Sequence, residues 1–255
     1  MKILVVNAGN TRTSVAIVAD EKKVKRIKFL QTSDTRYNDC SRIINEVAGK
    51  TSVDGCALCS VVPQVNRTWI KAMSRTLKIL PLQINYKLKL GISLSHYKQP
   101  ETLGADRIAN SAGASAKYGA PVIVADFGTA MTIDIVSSER NYMGGVIAPG
   151  PALMTEYLAD MTALLPHMRF TGTYPSIGRT TKEAIMLGAG VGYRGMVKEL
   201  LNHFLAMDYF RNATICITGG YAKVILKQLK NFDLIYDPYL THYGIAVIWR
   251  LNNSL

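Results

Sequence analysis

Three short glycine-containing segments and one Asp-Arg pair carry most of the chemistry this chain offers. Gly9-Asn10-Thr11 leaves backbone N–H groups unobstructed and adds a hydroxyl and an amide, groups that suit phosphate oxygens. Gly128-Thr129-Ala130 repeats the arrangement later in the chain. Thr218-Gly219-Gly220 lies between an apolar strand pattern and a helical one, where an anion is favoured at a helix N-terminus. Any one such turn also serves an ordinary hairpin; three together point to a nucleoside phosphate. Gly104-Ala105-Asp106-Arg107 opens a helical pattern. Asp106 fits there as a cap or first-turn acid. It fits equally as the carboxylate that accepts a hydroxyl proton in phosphoryl transfer, with Arg107 as the cation for an anionic substrate.

The elements that must position these residues come in two copies. Ile3-Leu4-Val5-Val6-Asn7-Ala8-Gly9-Asn10-Thr11 runs into Ser14-Val15-Ala16-Ile17-Val18. Val122-Ile123-Val124-Ala125-Asp126-Phe127-Gly128-Thr129 runs into Met131-Thr132-Ile133-Asp134-Ile135-Val136. Each is a β-rich run, a carboxylate or amide, a glycine two residues on, a threonine and a second β-rich run, which predicts a hairpin with a polar turn. Asp126 follows Asn7 by 119 residues, close to half of the 255-residue chain. A duplicated fold is expected, with domains 1–117 and 118–255.

Between and after the hairpins, helical patterns fall near 39–47, 67–77, 106–117, 182–206, 221–228 and 241–251. Strand patterns fall near 55–62, 213–218 and 234–236. The alternation predicts the α/β class. Gly188, Gly192 and Gly195 share one face of the long helical segment, so a second backbone is expected close to it, across a subunit seam or an internal helix crossing.

Composition narrows the function classes. Hydrophobic residues make up 48% and charged residues 19%, as in globular proteins. No apolar run approaches the roughly 18 residues of a membrane span, and the apolar start ends at Asn7, too short for a secretory signal. Four cysteines in a chain of this length do not form a disulfide framework. Cys56-Ala-Leu-Cys59 has no second ligand pair for zinc, and both thiols read as small core residues of a strand. A cytoplasmic, reduced protein is expected. The net charge of +12 is uneven, with fourteen Lys/Arg against four Asp/Glu over residues 22–89. Without aromatic interleaving or a nucleic-acid module, this is a solvated basic surface that also steers small polyanions; neither a nucleic acid nor a membrane is an expected partner.

Taken in order, seven segments resemble the type III pantothenate kinase family across essentially the whole chain. They are Asn7-x-Gly9-Asn10-Thr11, Gly104-x-Asp106-Arg107, Asp126-x-Gly128-Thr129-Ala130-x-Thr132-x-Asp134, Gly144-Gly145-x-Ile147-x-Pro149-Gly150, Leu158-x-x-x-Thr162-Ala163-x-Leu165-Pro166, Gly178-x-x-Thr181-x-Glu183-Ala184-Ile185 and Thr218-Gly219-Gly220. The resemblance implies two ribonuclease-H-like domains of the actin-like ATPase superfold, and ATP-dependent phosphorylation of pantothenate, the first step toward coenzyme A. It implies Asp106 as the catalytic base. Tyr97, Gly104, Ala105 and Arg107 would bind pantothenate, joined by Thr181 from the second subunit of a homodimer with shared sites. Asn7, Gly9, Asn10, Thr11, Gly128, Thr129 and Gly219 would surround ATP. Asp126 would bind a monovalent cation, K⁺ or NH₄⁺, and Mg²⁺ would bridge the phosphates.

Three positions depart from the family pattern. Asn7 stands where aspartate is usual, Tyr221 where TGG is usually followed by aspartate, and Thr180 where asparagine usually precedes Thr181. Asparagine keeps an acceptor oxygen but loses the charge that would attract Mg²⁺. The departures bear on Mg-ATP handling more than on pantothenate. They leave a second reading, a non-catalytic pantothenate- or nucleotide-binding regulatory or accessory relative, and a third, a kinase acting on another small alcohol.

Overall fold

The computed structural model describes residues 1–19 and 23–253. It divides into two compact units, one of residues 1–119, 140–143 and 239–255, the other of 120–139 and 144–238. The expected junction after 117 therefore falls two residues early. The chain's last helix also belongs with the first unit rather than the second.

The first unit opens with β1 (Lys2–Ala8) and β2 (Arg12–Ala19), paired antiparallel with Asn7 opposite Ser14. β3 (Lys23–Gln31) extends the meander. After α1 (Tyr37–Ala48), β4 (Gly55–Ser60) pairs parallel with β1, and after α2 (Pro63–Leu77) the short β5 (Leu82–Gln83) pairs parallel with β4. The sheet order is β3-β2-β1-β4-β5. Side chains alternate along β1, so Ile3 and Val5 face one core while Leu4 and Val6 face another. Burial of both faces explains why β1 is a continuous apolar run rather than an alternating one. The second of these cores takes Ile44 and Val47 of α1 and Trp69 and Met73 of α2. The first takes α3 (Ala105–Tyr118) and α7 (Leu240–Asn253).

α3 and α7 cross backbone to backbone. A Cβ on Gly113 would stand 2.9 Å from Cα of Gly244, and one on Gly244 would overlap the carbonyl of Ala109. Thr241 Oγ1 donates to Asn110 Oδ1 across the same crossing at 2.7 Å. That contact draws the C-terminal helix back to the first unit.

The second unit repeats the plan. β6 (Val122–Phe127) and β7 (Ala130–Val136) form the second hairpin, with Asp126 opposite Thr132, and β8 (Tyr142–Pro149) lies beyond β7. β9 (Thr214–Thr218) pairs parallel with β6, and β10 (Leu234–Tyr236) parallel with β9. The order β8-β7-β6-β9-β10 matches β3-β2-β1-β4-β5 strand for strand. The sheet packs on the long α5 (Thr181–Leu205) and the short α6 (Ala222–Leu226) through Phe127, Ile133, Tyr193, Val197, Leu201 and Ile217. This is the duplication expected from the repeat, in the ribonuclease-H-like architecture that the family resemblance implies.

Among the strands and α-helices described, four escaped the sequence patterns: β3, β5, β8 and α4. α4 (Leu153–Asp160) is short and weakly sided, with none of its apolar residues fully buried, so no core-facing stripe marks it. β8 needs glycine for its approach, because a Cβ on Gly145 would overlap the Ile133 carbonyl. Gly188, Gly192 and Gly195 meet nothing within 4 Å of an added Cβ, so among the described residues no internal crossing, one of the two alternatives for that face of α5, is found. The glycine of α5 that is closely packed is Gly190, under the ring of Tyr174.

Candidate active site

In the first unit the Gly9-Asn10-Thr11 turn links β1 to β2, with the Gly9 amide donating to the Arg12 carbonyl at 3.2 Å. Asn10 and Thr11 are exposed, while Asn7 is half-buried at the end of β1. The turn is braced from behind by Thr32, whose hydroxyl donates to the Gly9 carbonyl (2.7 Å) and whose amide donates to the Thr11 carbonyl (3.0 Å). Thr13 shares a 2.9 Å hydroxyl contact with the same Thr32. Nothing in the local sequence marks Thr32, because its partners lie two strands away.

Asp106 occupies the first turn of α3, and the residue flanking the helix is Gly104, with no side-chain cap. Asp106 is therefore not the N-cap. Its Oδ1 accepts the Arg107 amide at 2.8 Å, and the carboxyl sits in the first helical turn, where the N–H groups and dipole favour an anion. Desolvation still outweighs these contacts and the Arg107 charge, so its pKa is raised above the ordinary aspartate value. The same carboxylate adds to burial in pushing the neighbouring Cys59 thiol up, and burial alone pushes Cys56 up to about 12. Both thiols of the CxxC are buried in β4 and are kept from forming thiolate.

Arg107 is 8% exposed and lies 6.0 Å over the ring of Tyr142, a fully buried residue that Tyr97 meets edge-on at 5.3 Å. Burying a guanidinium against an aromatic face fixes its direction. Tyr97, Gly104, Ala105, Asp106 and Arg107 thus belong to one neighbourhood of the first unit. Tyr142 joins them although no motif singled it out; it comes from the start of β8, where its amide donates to the Ser93 carbonyl at 2.8 Å.

In the second unit Gly128 and Thr129 form the β6–β7 turn, and the Gly150 amide donates to the Thr129 carbonyl at 3.0 Å. A Cβ on Gly150 would overlap the Gly128 and Thr129 carbonyls, so this glycine is a packing requirement of the turn. Asp126 and Thr218 are partners across the parallel β6–β9 pair. Gly219 has φ +97°, which favours glycine, and a Cβ there would overlap Asp126 Oδ1. The Tyr221 amide donates to the Phe127 carbonyl at 3.0 Å, docking the Thr218-Gly219-Gly220 turn onto the β6–β7 turn. The Tyr221 ring meets Phe170 at 6.3 Å, so its side chain packs in the core of this unit.

Thr181 is the first residue of α5, preceded by a reciprocal cap. Thr180 Oγ1 accepts the Glu183 amide at 3.2 Å, and Glu183 Oε2 accepts the Arg179 amide at 2.8 Å. Threonine and asparagine both serve as N-caps, which accounts physically for the departure at Thr180. Among the described residues no three His, Cys, Asp or Glu side chains converge as a metal cluster.

The Gly9-Asn10-Thr11 and Gly128-Thr129 turns sit at equivalent points of a duplicated fold. Residues 3–203 match the family described as type III pantothenate kinase. The chain belongs to that family. A type III pantothenate kinase of Akkermansia muciniphila is 36% identical, covering 99% of this chain and 100% of its own. One from Methylacidiphilum infernorum is 35% identical over 98% of this chain and 88% of its own. Among solved structures, a ROK family glucokinase from Streptomyces griseus in complex with glucose and AMPPNP superposes with TM-score 0.61 at 9% identity, covering 100% of both chains. The fold is thus the actin-like ATPase and sugar-kinase fold.

Proposed function

We propose that this chain transfers the γ-phosphate of ATP to the primary hydroxyl of pantothenate, giving 4′-phosphopantothenate and ADP. The observation that carries the reading is a desolvated carboxylate, Asp106, set beside a buried guanidinium, Arg107, at the head of α3. A raised pKa makes the ionised carboxylate a stronger base. Asp106 accepts the hydroxyl proton as the pantothenate oxygen bonds to the γ-phosphorus. The bond from that phosphorus to the β–γ bridging oxygen breaks, and ADP leaves with the electron pair. Arg107, steadied by Tyr142, pairs with the pantothenate carboxylate, and Tyr97, Gly104 and Ala105 shape the same pocket.

The ATP phosphates are assigned to the amides and hydroxyls of Gly9, Asn10, Thr11, Gly128, Thr129 and Gly219, with Asn7 close by. Asp126 fits a weakly hydrated monovalent cation, K⁺ or NH₄⁺, since its carboxylate lies against Gly219 at the end of an oxygen-rich turn. Mg²⁺ asks for only one or two protein oxygens beside phosphates, which the absence of a dense carboxylate cluster permits; when bound it neutralises charge on the transferring phosphoryl group.

The active unit is assigned as a homodimer with Thr181 reaching the second copy's pantothenate. Its support is the band formed by α4 and α5. Tyr157, Met161 and Leu164 are 61%, 65% and 92% exposed, and a groove of about 720 Å³ between the helices is lined by Leu153, Met154, Tyr157, Leu165, Thr181 and Gly188. The bare glycines at 188, 192 and 195 continue that band and leave room for a second helix. A cytoplasmic setting fits the four buried cysteines, and no described helix is long and apolar enough to cross a membrane. The test is conversion of pantothenate to 4′-phosphopantothenate by purified protein with ATP, Mg²⁺ and K⁺. Absence of product under these conditions would overturn the reading.

A further inference from the structure

The second unit holds another recess, unlike the apolar groove in every respect. It measures about 440 Å³ and is lined by Tyr174, Arg194, Lys198, Lys227, Gln228 and Lys230, together with Leu229, Asn231 and Phe232. Four of these side chains are cationic and none is a carboxylate. Among the described residues Lys198, Lys227 and Lys230 have no ion-pair partner. Four cations around one hollow repel each other, and an ordinary basic surface relieves this by spreading its lysines into solvent.

Here the walls are held. Gly172 adopts φ +73°, a Cβ on it would overlap Val224, and its carbonyl accepts Gln228 Nε2 at 2.8 Å. Tyr174 lies on Gly190, where no side chain could stand, and its hydroxyl accepts from Arg194 at 2.9 Å with the guanidinium 5.9 Å from the ring centroid. Gln228 Oε1 is buried with no hydrogen-bond partner among the described residues. A buried acceptor left alone is costly, so an occupant that brings a donor is favoured.

We propose that this recess binds a small phosphorylated compound, at a site separate from the phosphate turns of the kinase reaction. Arg194, Lys198, Lys227 and Lys230 compensate two or more negative charges, and Gln228 accepts from a P–OH or carbinol hydroxyl of the ligand. The volume is in the usual range for small-molecule sites and far from the open strip a nucleic-acid backbone needs. Arg194 and Lys198 lie 13 and 17 residues beyond Thr181, roughly 20 and 25 Å along α5. Lys227 and Lys230 follow α6 at the end away from Gly219.

Titration calorimetry of the full chain with inorganic pyrophosphate, without Mg²⁺, tests the site. Binding is expected to persist when a non-hydrolysable ATP analogue saturates the nucleotide turns. It is expected to weaken at least about tenfold in Lys198→Glu/Lys230→Glu and to a lesser degree in Lys198→Gln/Lys230→Gln, while both variants keep the parental melting temperature and phosphorylation rate. Inorganic phosphate should bind more weakly than pyrophosphate. Loss of the pyrophosphate signal under the ATP analogue, equal binding by the parent and both variants, or no binding at millimolar pyrophosphate would each overturn the proposal.

Discussion

A Cβ added to Gly104 would stand 2.6 Å from Oδ1 of Asp106, so the glycine ahead of α3 forms one wall of the carboxylate's site. Its φ of −56° suits any residue, and the position is thus small for the sake of Asp106 rather than of the backbone. Gly104→Ala is expected to fold with little change in melting temperature while displacing the carboxylate. Sub-ångström to ångström misplacement of a reacting group costs up to about 10² in rate. Turnover should fall about tenfold to a hundredfold, measured alongside a thermal melt.

Asp106→Asn separates chemistry from stability. Loss of the base should lower turnover by about 10²–10⁴. The folded state raises the Asp106 pKa above 3.8, so folding favours the protonated form. That contribution is complete below the unfolded value and is lost as pH rises through the folded one. An amide never ionises. The variant should therefore melt above the parent at pH 7–8 and level with it well below pH 3.8. The parental pH–rate profile should show an acid limb above that value. A variant with parental turnover would remove Asp106 from the mechanism.

Asn7 and Asp126 are equivalent in the duplicated hairpins: Asn7 pairs with Ser14 and Cys59, Asp126 with Thr132 and Thr218. A carboxylate at position 7 would add the negative charge that holds Mg²⁺ or its waters. Asn7→Asp is expected to lower the Mg²⁺ concentration for half-maximal rate, with metal-free nucleotide binding weakened. Superimposable magnesium titrations would place residue 7 away from the metal.

Asp126 is expected to make the rate depend on the monovalent salt. Replacing Na⁺ by K⁺ or NH₄⁺ at fixed ionic strength should raise the rate, and Asp126→Asn should flatten that preference. Equal parental rates in all three salts would exclude the cation from this position.

Gly192 on α5 tests assembly, because a Cβ added there meets nothing within 4 Å among the described residues. In an isolated helix the change to leucine gains about 0.8 kcal/mol of propensity. Gly192→Leu should therefore leave the monomer at least as stable while closing the gap a second helix would fill. Light scattering is expected to move from twice 28.0 kDa toward 28.0 kDa, with loss of activity. A fully active parental monomer would exclude shared sites.

How far these assignments could be reached without coordinates depends on the range of the contacts involved. The two hairpins, the parallel strands after them and the helix headed by Asp106 are written in apolar runs and turn residues a few positions apart. Local periodicity and glycine placement determine such elements, and four of the seven motifs that mark the family lie on or beside them. Helix ends shifted by one to four residues, as α2 did by starting at Pro63, because caps and first turns carry little pattern of their own.

What the tertiary structure alone decided rests on partners far apart in the chain. Gly113 needs Gly244, Ser14 shares a 2.8 Å contact with His242, and Tyr142 reaches Arg107 from a strand whose remainder belongs to the other unit. No periodicity encodes these meetings, so the return of α7 to the first unit, the brace at Thr32 and the ring beneath Arg107 were all invisible in one dimension. The glycines of α5 make the same distinction in reverse. Their spacing raised the expectation of close packing, across a subunit seam or within the chain, and whether that face meets the same chain was a matter of global topology. The folded chain leaves it bare, because its own core is already filled by the opposite side through Tyr193, Val197 and Leu201.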